Sequence, residues 1–195
     1  MVLCYNMGTS PWFPLSGKEL VDLGTMTLSI VRIADQLCKK HGTRDPYELA
    51  DALGIHILYR PFKEQKGAYQ VILGNFFIFL KEGMDEAMER IVLLHEIGHH
   101  VLHRKMADAR VFQVFNIFNM RENRMEYEAN IFAAQISLPD DEVLSYIRDG
   151  YDIQQIACEM NSDINLVALK NDTLIAQGYR FYRQDHQSNF LRYDK

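Results

Sequence analysis

The spacing of apolar positions changes along the chain and marks out its elements. Between Leu28 and Lys40, Ile30, Ile33, Ala34 and Leu37 recur at helical spacing, and Gly42 supplies a stop. In the stretch 45–54, Asp45 fits an N-cap, Pro46 the first helical position and Gly54 the C′ position of a short second helix. The pattern then becomes β-like. Residues 55–59, 68–73 and 76–80 read as strands, and the last two flank Gly74-Asn75, a two-residue hairpin signal. The sheet should therefore have about three strands.

Helical spacing returns from Asp85 to Arg104. The first turn is acidic (Asp85, Glu86) and the end is basic (His103, Arg104, Lys105), as the helix dipole favours. Met88, Ile91, Val92, His95, His99 and Leu102 share one face. Another helix should run from Met125 to Leu138, stopped by Pro139, followed by shorter ones near 140–148, 153–160 and 163–176. Between the two main helices, polar residues recur every third position over 111–119. That segment reads as a core cover or as an apolar flap over a groove. Residues 1–26 and 179–195 show no clear period. The pattern divides the chain into a loosely ordered arm (1–27), a core (28–139), a C-terminal helical bundle (140–178) and a polar, aromatic tail (179–195).

A length of 195 residues is enough to bury a real core. The formal charge of −5 leaves no basic footprint for nucleic acid or an anionic membrane. No apolar run approaches the roughly 20 residues of a membrane helix, and the first residues do not read as a signal peptide. The three cysteines, Cys4, Cys38 and Cys158, are widely spaced and suit a reducing, cytoplasmic setting. Cys38 and Cys158 lie in helical patterns and are expected to be buried.

The chemistry concentrates in His95-Glu96-Ile97-Gly98-His99, an H-E-x-x-H pattern. Residues four apart on a helix lie about 40° apart around the axis, so both imidazoles can reach one ion. Glu96, turned by about 100°, is misdirected as a ligand but suits proton transfer from an activated water. Two histidines at this spacing on an apolar face are costly without a compensating partner. Zinc is the expected ion. A catalytic zinc has three protein ligands and one open position. Leu102 and Lys105 stand where a metzincin has its glycine and third histidine, so that class is excluded.

The third ligand is expected from the next helix. Glu126, Ala129, Asn130 and Ala133 form one face, whose alanines allow close approach near Gly98. Glu126 is the best candidate, Glu128 fits less well and Glu122 is a weaker third. Asn130 can hydrogen-bond the distal nitrogen of a ligating histidine. His103, one turn beyond His99, reads as a structural or supporting residue, and His100 as exposed. Tyr69, Tyr127 and His103 are candidates for stabilising an oxyanion.

The segments HEIGHHVLH (95–103) and EYEANIFAAQISLP (126–139) resemble the HExGHxxLH and ExxANxFAxxLLMP-like segments of the ImmA/IrrE metallopeptidases, in the same order and at a similar interval. Residues 28–178 carry the resemblance. Ser137 departs from it, standing where a large aliphatic is common. The resemblance implies zinc held by His95, His99 and Glu126, with Glu96 as catalytic base. It also implies an α+β fold with a mostly helical, zincin-like core and a C-terminal helical appendage. The implied partner is a helix-turn-helix repressor that is cleaved or inactivated.

Two other functions are open from sequence. One is a metal-bound regulator that sequesters a repressor without cutting it. The other is a DNA reader built on 153–160 and 163–176, where Lys170, Asn165 and Asn171 would face DNA. Asp163 and Asp172 on the same segment count against the second.

Overall fold

The computed structural model describes residues 17–107 and 124–180, with side chains described for 24–104 and 124–180. The 111–119 segment, Glu122 and Cys4 lie outside the described residues. The elements run α1 (Gly17–His41), α2 (Pro46–Ala52), β1 (Ile55–Arg60), β2 (Gly67–Ile72), β3 (Asn75–Lys81), α3 (Glu86–Ala107), α4 (Arg124–Ser137), α5 (Asp140–Arg148), α6 (Ile153–Glu159) and α7 (Ile164–Ala176). The fold is α+β, with seven helices and a small mixed sheet among the described residues.

α1 starts at Gly17, upstream of the expected Leu28. It buries Ile30, Val31, Ala34 and Cys38 and ends where Gly42 adopts φ +71°. α2 is capped as its sequence indicates. The Asp45 side chain accepts from the Tyr47 and Glu48 backbone N–H groups, Pro46 opens the helix, and Gly54 takes φ +68° at C′.

The sheet order is β1-β3-β2, with β1 parallel and β2 antiparallel to the central β3. The hairpin link is Leu73-Gly74 rather than Gly74-Asn75, because Ile72 already pairs with Asn75. Both link residues have positive φ, 50° and 80°, as a type I′ turn demands. Leu73 is 97% exposed, so its unfavourable backbone is not offset by packing.

α3 is the centre of the molecule. β2 and β3 lie against it, and α4 is its most extensive partner. Every residue from Ile91 to His100 is buried. This overturns the expectation that His100 is exposed: the helix face pointing away from α4 is covered by the sheet. There His100 Nδ1 meets the Tyr69 hydroxyl at 2.9 Å, with the Phe76 ring edge-on at 4.7 Å.

α7 and α1 complete the packing around α4. Lys170 of α7 is fully buried and donates to Gln135 Oε1 at 2.6 Å and to the Asp140 carboxylate. The one lysine that a DNA-reading α7 would offer is therefore turned into the core. Cys158 is exposed, contrary to expectation, because short α6 buries its Ile156 and Ala157 instead.

Candidate metal centre and active site

Close contact between α3 and α4 builds the site. A Cβ on Gly98 would lie 3.2 Å from Ala129 Cα and 3.3 Å from the Ala129 carbonyl oxygen. With hydrogen at 98 and a methyl at 129, the two backbones approach closely enough for short side chains to meet. This brings His95, His99 and Glu126 together, with one donor atom from each lying within 4.8 Å of the others. His95 Nε2 lies 3.0 Å from His99 Nε2 and 3.2 Å from Glu126 Oε2, and His99 Nε2 lies 3.4 Å from Glu126 Oε1.

The protonation pattern of these groups suits a cation. Asn130, fully buried, presents its carbonyl oxygen to His95 Nδ1 at 2.9 Å, so the His95 proton belongs on Nδ1. Its Nε2 is then an acceptor, facing a carboxylate. Burial pushes His99 down to about 4, only partly opposed by Glu126, so this ring does not supply a charge at neutral pH. Burial works against the Glu126 carboxylate, but protons or positive charge donated at the two imidazole edges outweigh it and hold the group well below the usual carboxylate range. Acceptors converging on acceptors inside a protein need a positive charge between them. Two imidazoles and one carboxylate are a fitting donor set for zinc.

Glu96 stands beside this group and outside it. It is fully buried, and among the described residues neither carboxylate oxygen makes a hydrogen bond of ordinary geometry. Burial first, and the Glu126 charge second, push its carboxyl well above the usual range, while the Tyr69 backbone N–H pulls the other way. A carboxylate made more basic by a dry site is suited to accepting a proton and returning it. β2 leaves the room for it. A Cβ on Gly67 would fall 2.6 Å from Glu96 Oε1 and 2.6 Å from Val92 Cγ1.

Of the other candidates, Glu128 does not join the converging group. Its Oε2 accepts from His103 Nε2 at 2.8 Å, and His103 Nδ1 faces His99 Nδ1 at 3.1 Å. Tyr69 is fully buried with its hydroxyl on His100. Tyr127 is half-buried, and burial together with Asp172 pushes its phenol up to about 12.

The roles of Gly67, the Tyr69–His100 pair and the His103–Glu128 contact were not legible in the amino-acid sequence. A signal for the burial of His100 was present. Ile91, Val92, Leu93, Leu94 and Ile97 put apolar residues on every side of α3, which marks a helix buried all round. For Gly67 there was only a glycine at a strand start.

Comparison with known proteins decides the family. Residues 50–169, more than half of the chain, match the Peptidase_M78 family model, described as the IrrE N-terminal-like domain. The chain belongs to this metallopeptidase family. Within it, the chain is similar to Metallopeptidase ImmA of Bacillus subtilis (strain 168), at 30% identity over 128 residues, covering 63% of this chain and 72% of that protein. It is also similar to the Uncharacterized immunity region protein 2 of Bacillus phage phi105. That match is 30% identical over 149 residues, covering 76% of this chain and 92% of the relative. The family match takes in α3, α4 and the β2–β3 hairpin, so it contains every residue of the converging group.

Proposed function

We propose that this metallopeptidase is a zinc-dependent endopeptidase of the HExxH type, acting on a protein partner that is a helix-turn-helix repressor. The observation that carries this reading is the convergence of His95, His99 and Glu126 beside the buried Glu96. His95, His99 and Glu126 would hold the ion. When bound, zinc polarises the scissile carbonyl and acidifies a water. Glu96 accepts a proton from the attacking water as the new C–O bond forms. It returns a proton to the departing amine as the C–N bond breaks. Asn130 keeps His95 in the tautomer whose Nε2 is free to bind metal. β2 is an edge strand beside Glu96 and can receive an extended substrate by strand addition.

The repressor partner is supported by the family resemblance and by similarity to a phage protein whose name places it in an immunity region. A cytoplasmic setting follows from such a partner, and no described helix is long and apolar enough to cross a membrane. Direct DNA contact is disfavoured by the burial of Lys170. Residues 28–139 would carry the chemistry and 140–178 would brace it.

The test is to incubate the zinc-loaded protein with a candidate repressor encoded beside it and measure fragment masses. Discrete fragments from the wild type, with none from Glu96→Gln at equal zinc content, are expected. An intact repressor bound stably to the wild type would replace cleavage with sequestration. Cleavage retained by Glu96→Gln would overturn the mechanism.

A further inference from the structure

The two histidines of the site are supported differently. His95 leans on a neutral amide, Asn130. His99 leans on a second histidine, which leans on a carboxylate. The contacts run His99 Nδ1 to His103 Nδ1 at 3.1 Å, His103 Nε2 to Glu128 Oε2 at 2.8 Å, and Arg124 Nε to Glu128 Oε1 at 2.8 Å. The first three side chains are 0%, 5% and 17% exposed, and Arg124 is 77% exposed.

We propose that His103 and Glu128 are positioning residues that set the tautomer and orientation of His99 for metal binding. The proposal rests on the reading of His99 as a ligand through Nε2. Given that, a neutral His99 must carry its proton on Nδ1. That proton can only be accepted by His103 Nδ1 if the latter is unprotonated. His103 then holds its own proton on Nε2 and gives it to the Glu128 carboxylate. One assignment satisfies all four nitrogen positions and leaves one lone pair, His99 Nε2, pointing at His95 and Glu126. The reverse order fails. A proton on His103 Nδ1 would meet the proton on His99 Nδ1, or would force His99 to protonate the nitrogen that must bind metal.

The same geometry removes His103 as a ligand. It sits against the Nδ1 edge of His99, across the ring from the Nε2 that faces Glu126. It also gives Glu128 a role distinct from that of Glu126. On one helix, one carboxylate faces the ion and the other anchors a ligand from behind. A carboxylate at the end of such a chain raises ligand basicity, and losing a supporting group of this kind lowers metal affinity about 10–100-fold.

The alternative is that His103 and Glu128 only satisfy each other in the core. The two cases separate in the nitrogen-15 histidine spectrum of the zinc-loaded full chain and in zinc affinity measured by chelator competition. The expected spectrum has His99 protonated on Nδ1, His103 protonated on Nε2 alone, and a His99 Nδ1–H protected from exchange. Glu128→Ala should weaken zinc binding about 10–100-fold and expose that proton. Glu128→Gln, which keeps an accepting oxygen, should recover most of the loss. A His103 proton on Nδ1, or zinc affinity of Glu128→Ala within about twofold of wild type, would overturn the proposal. If Glu128→Ala does not fold, the wild-type spectrum decides alone. Glu126→Ala serves as the reference. If it also keeps full zinc affinity, the metal reading itself has failed; if it alone loses zinc, only the positioning role has.

Discussion

α4 carries two buried polar clusters, one at each end, and they are built on opposite rules. At its C-terminal end the cluster is closed. Lys170 donates to Gln135 and Asp140, the Gln135 amide donates to Asp35 at 2.9 Å and Asp140 at 3.0 Å, and Arg44 donates to the Gln135 and Ile136 carbonyls. Each donor meets an acceptor, and the network ties α1, α4, α5 and α7 together. At its N-terminal end the cluster is open. His95 Nε2 and the Glu126 carboxylate meet acceptor to acceptor, and neither oxygen of Glu96 makes a hydrogen bond of ordinary geometry among the described residues. A closed network rigidifies a core, while an unclosed one is costly unless something else completes it. Both ends place charged and polar side chains in or against the core. The balance of donors against acceptors is what separates structure from chemistry.

The sharpest break of this comparison is a double dissociation. Glu126→Ala should lower zinc affinity on the order of a thousandfold, since structural-type zinc binding of roughly 10–16 kcal/mol is shared among few ligands. Without metal it should melt no lower than the wild type, because it relieves crowded acceptors. Lys170→Met should do the reverse. Removing one partner of a buried ion pair costs about 3–5 kcal/mol, or on the order of 10 °C in a chain of this size, and zinc affinity should hold. Calorimetry with and without chelator reads both. Loss of metal-free stability in Glu126→Ala equal to that in Lys170→Met would erase the distinction between the two ends.

Gly67→Ala is expected to have the next effect. The added methyl must displace Glu96 Oε1 or Val92 Cγ1, each 2.6 Å away, and overpacking of this kind costs about 1–3 kcal/mol. Since one of the two displaced neighbours is the proposed base, cleavage should fall more steeply than stability. Zinc affinity should be unchanged, because the atoms nearest the added methyl belong to Glu96 and Val92 and not to a proposed ligand. A variant that cuts at the wild-type rate would show that the position of Glu96 is not set by β2.

The closed end was hardly legible in the sequence, and the open end largely was. His95, Glu96 and His99 announce themselves because helix geometry fixes what residues at those spacings can reach, and the Gly98–Ala129 contact follows from two small residues on facing helices. Lys170 gave no such signal. A lone lysine on a largely apolar helix resembles one whose charged end reaches solvent, and its partners lie 30 and 35 residues away in Asp140 and Gln135. The same long-range dependence hid His100, whose burial is set by the β2–β3 hairpin, and the pairing of His103 with Glu128. The helices from α2 onward followed from local caps and stops such as Asp45, Gly54 and Pro139, which act within a turn of where they sit.

Arg124→Ala tests the outer rim of the open cluster and should have the smallest effect. The guanidinium is 77% exposed and meets Glu128 four residues along the same helix. Pairs of this kind contribute about 0.3–0.5 kcal/mol and are screened by salt. Glu128 keeps its contact with His103 on the other oxygen, so its orientation does not depend on the arginine. The melting temperature should move by no more than about 1–2 °C, and zinc affinity by no more than about twofold, a factor worth only about 0.4 kcal/mol. A larger loss of zinc affinity, recovered at neither low nor high salt, would mean that Arg124 holds Glu128 in place. The open cluster would then extend to the protein surface instead of ending at the half-buried Glu128 carboxylate.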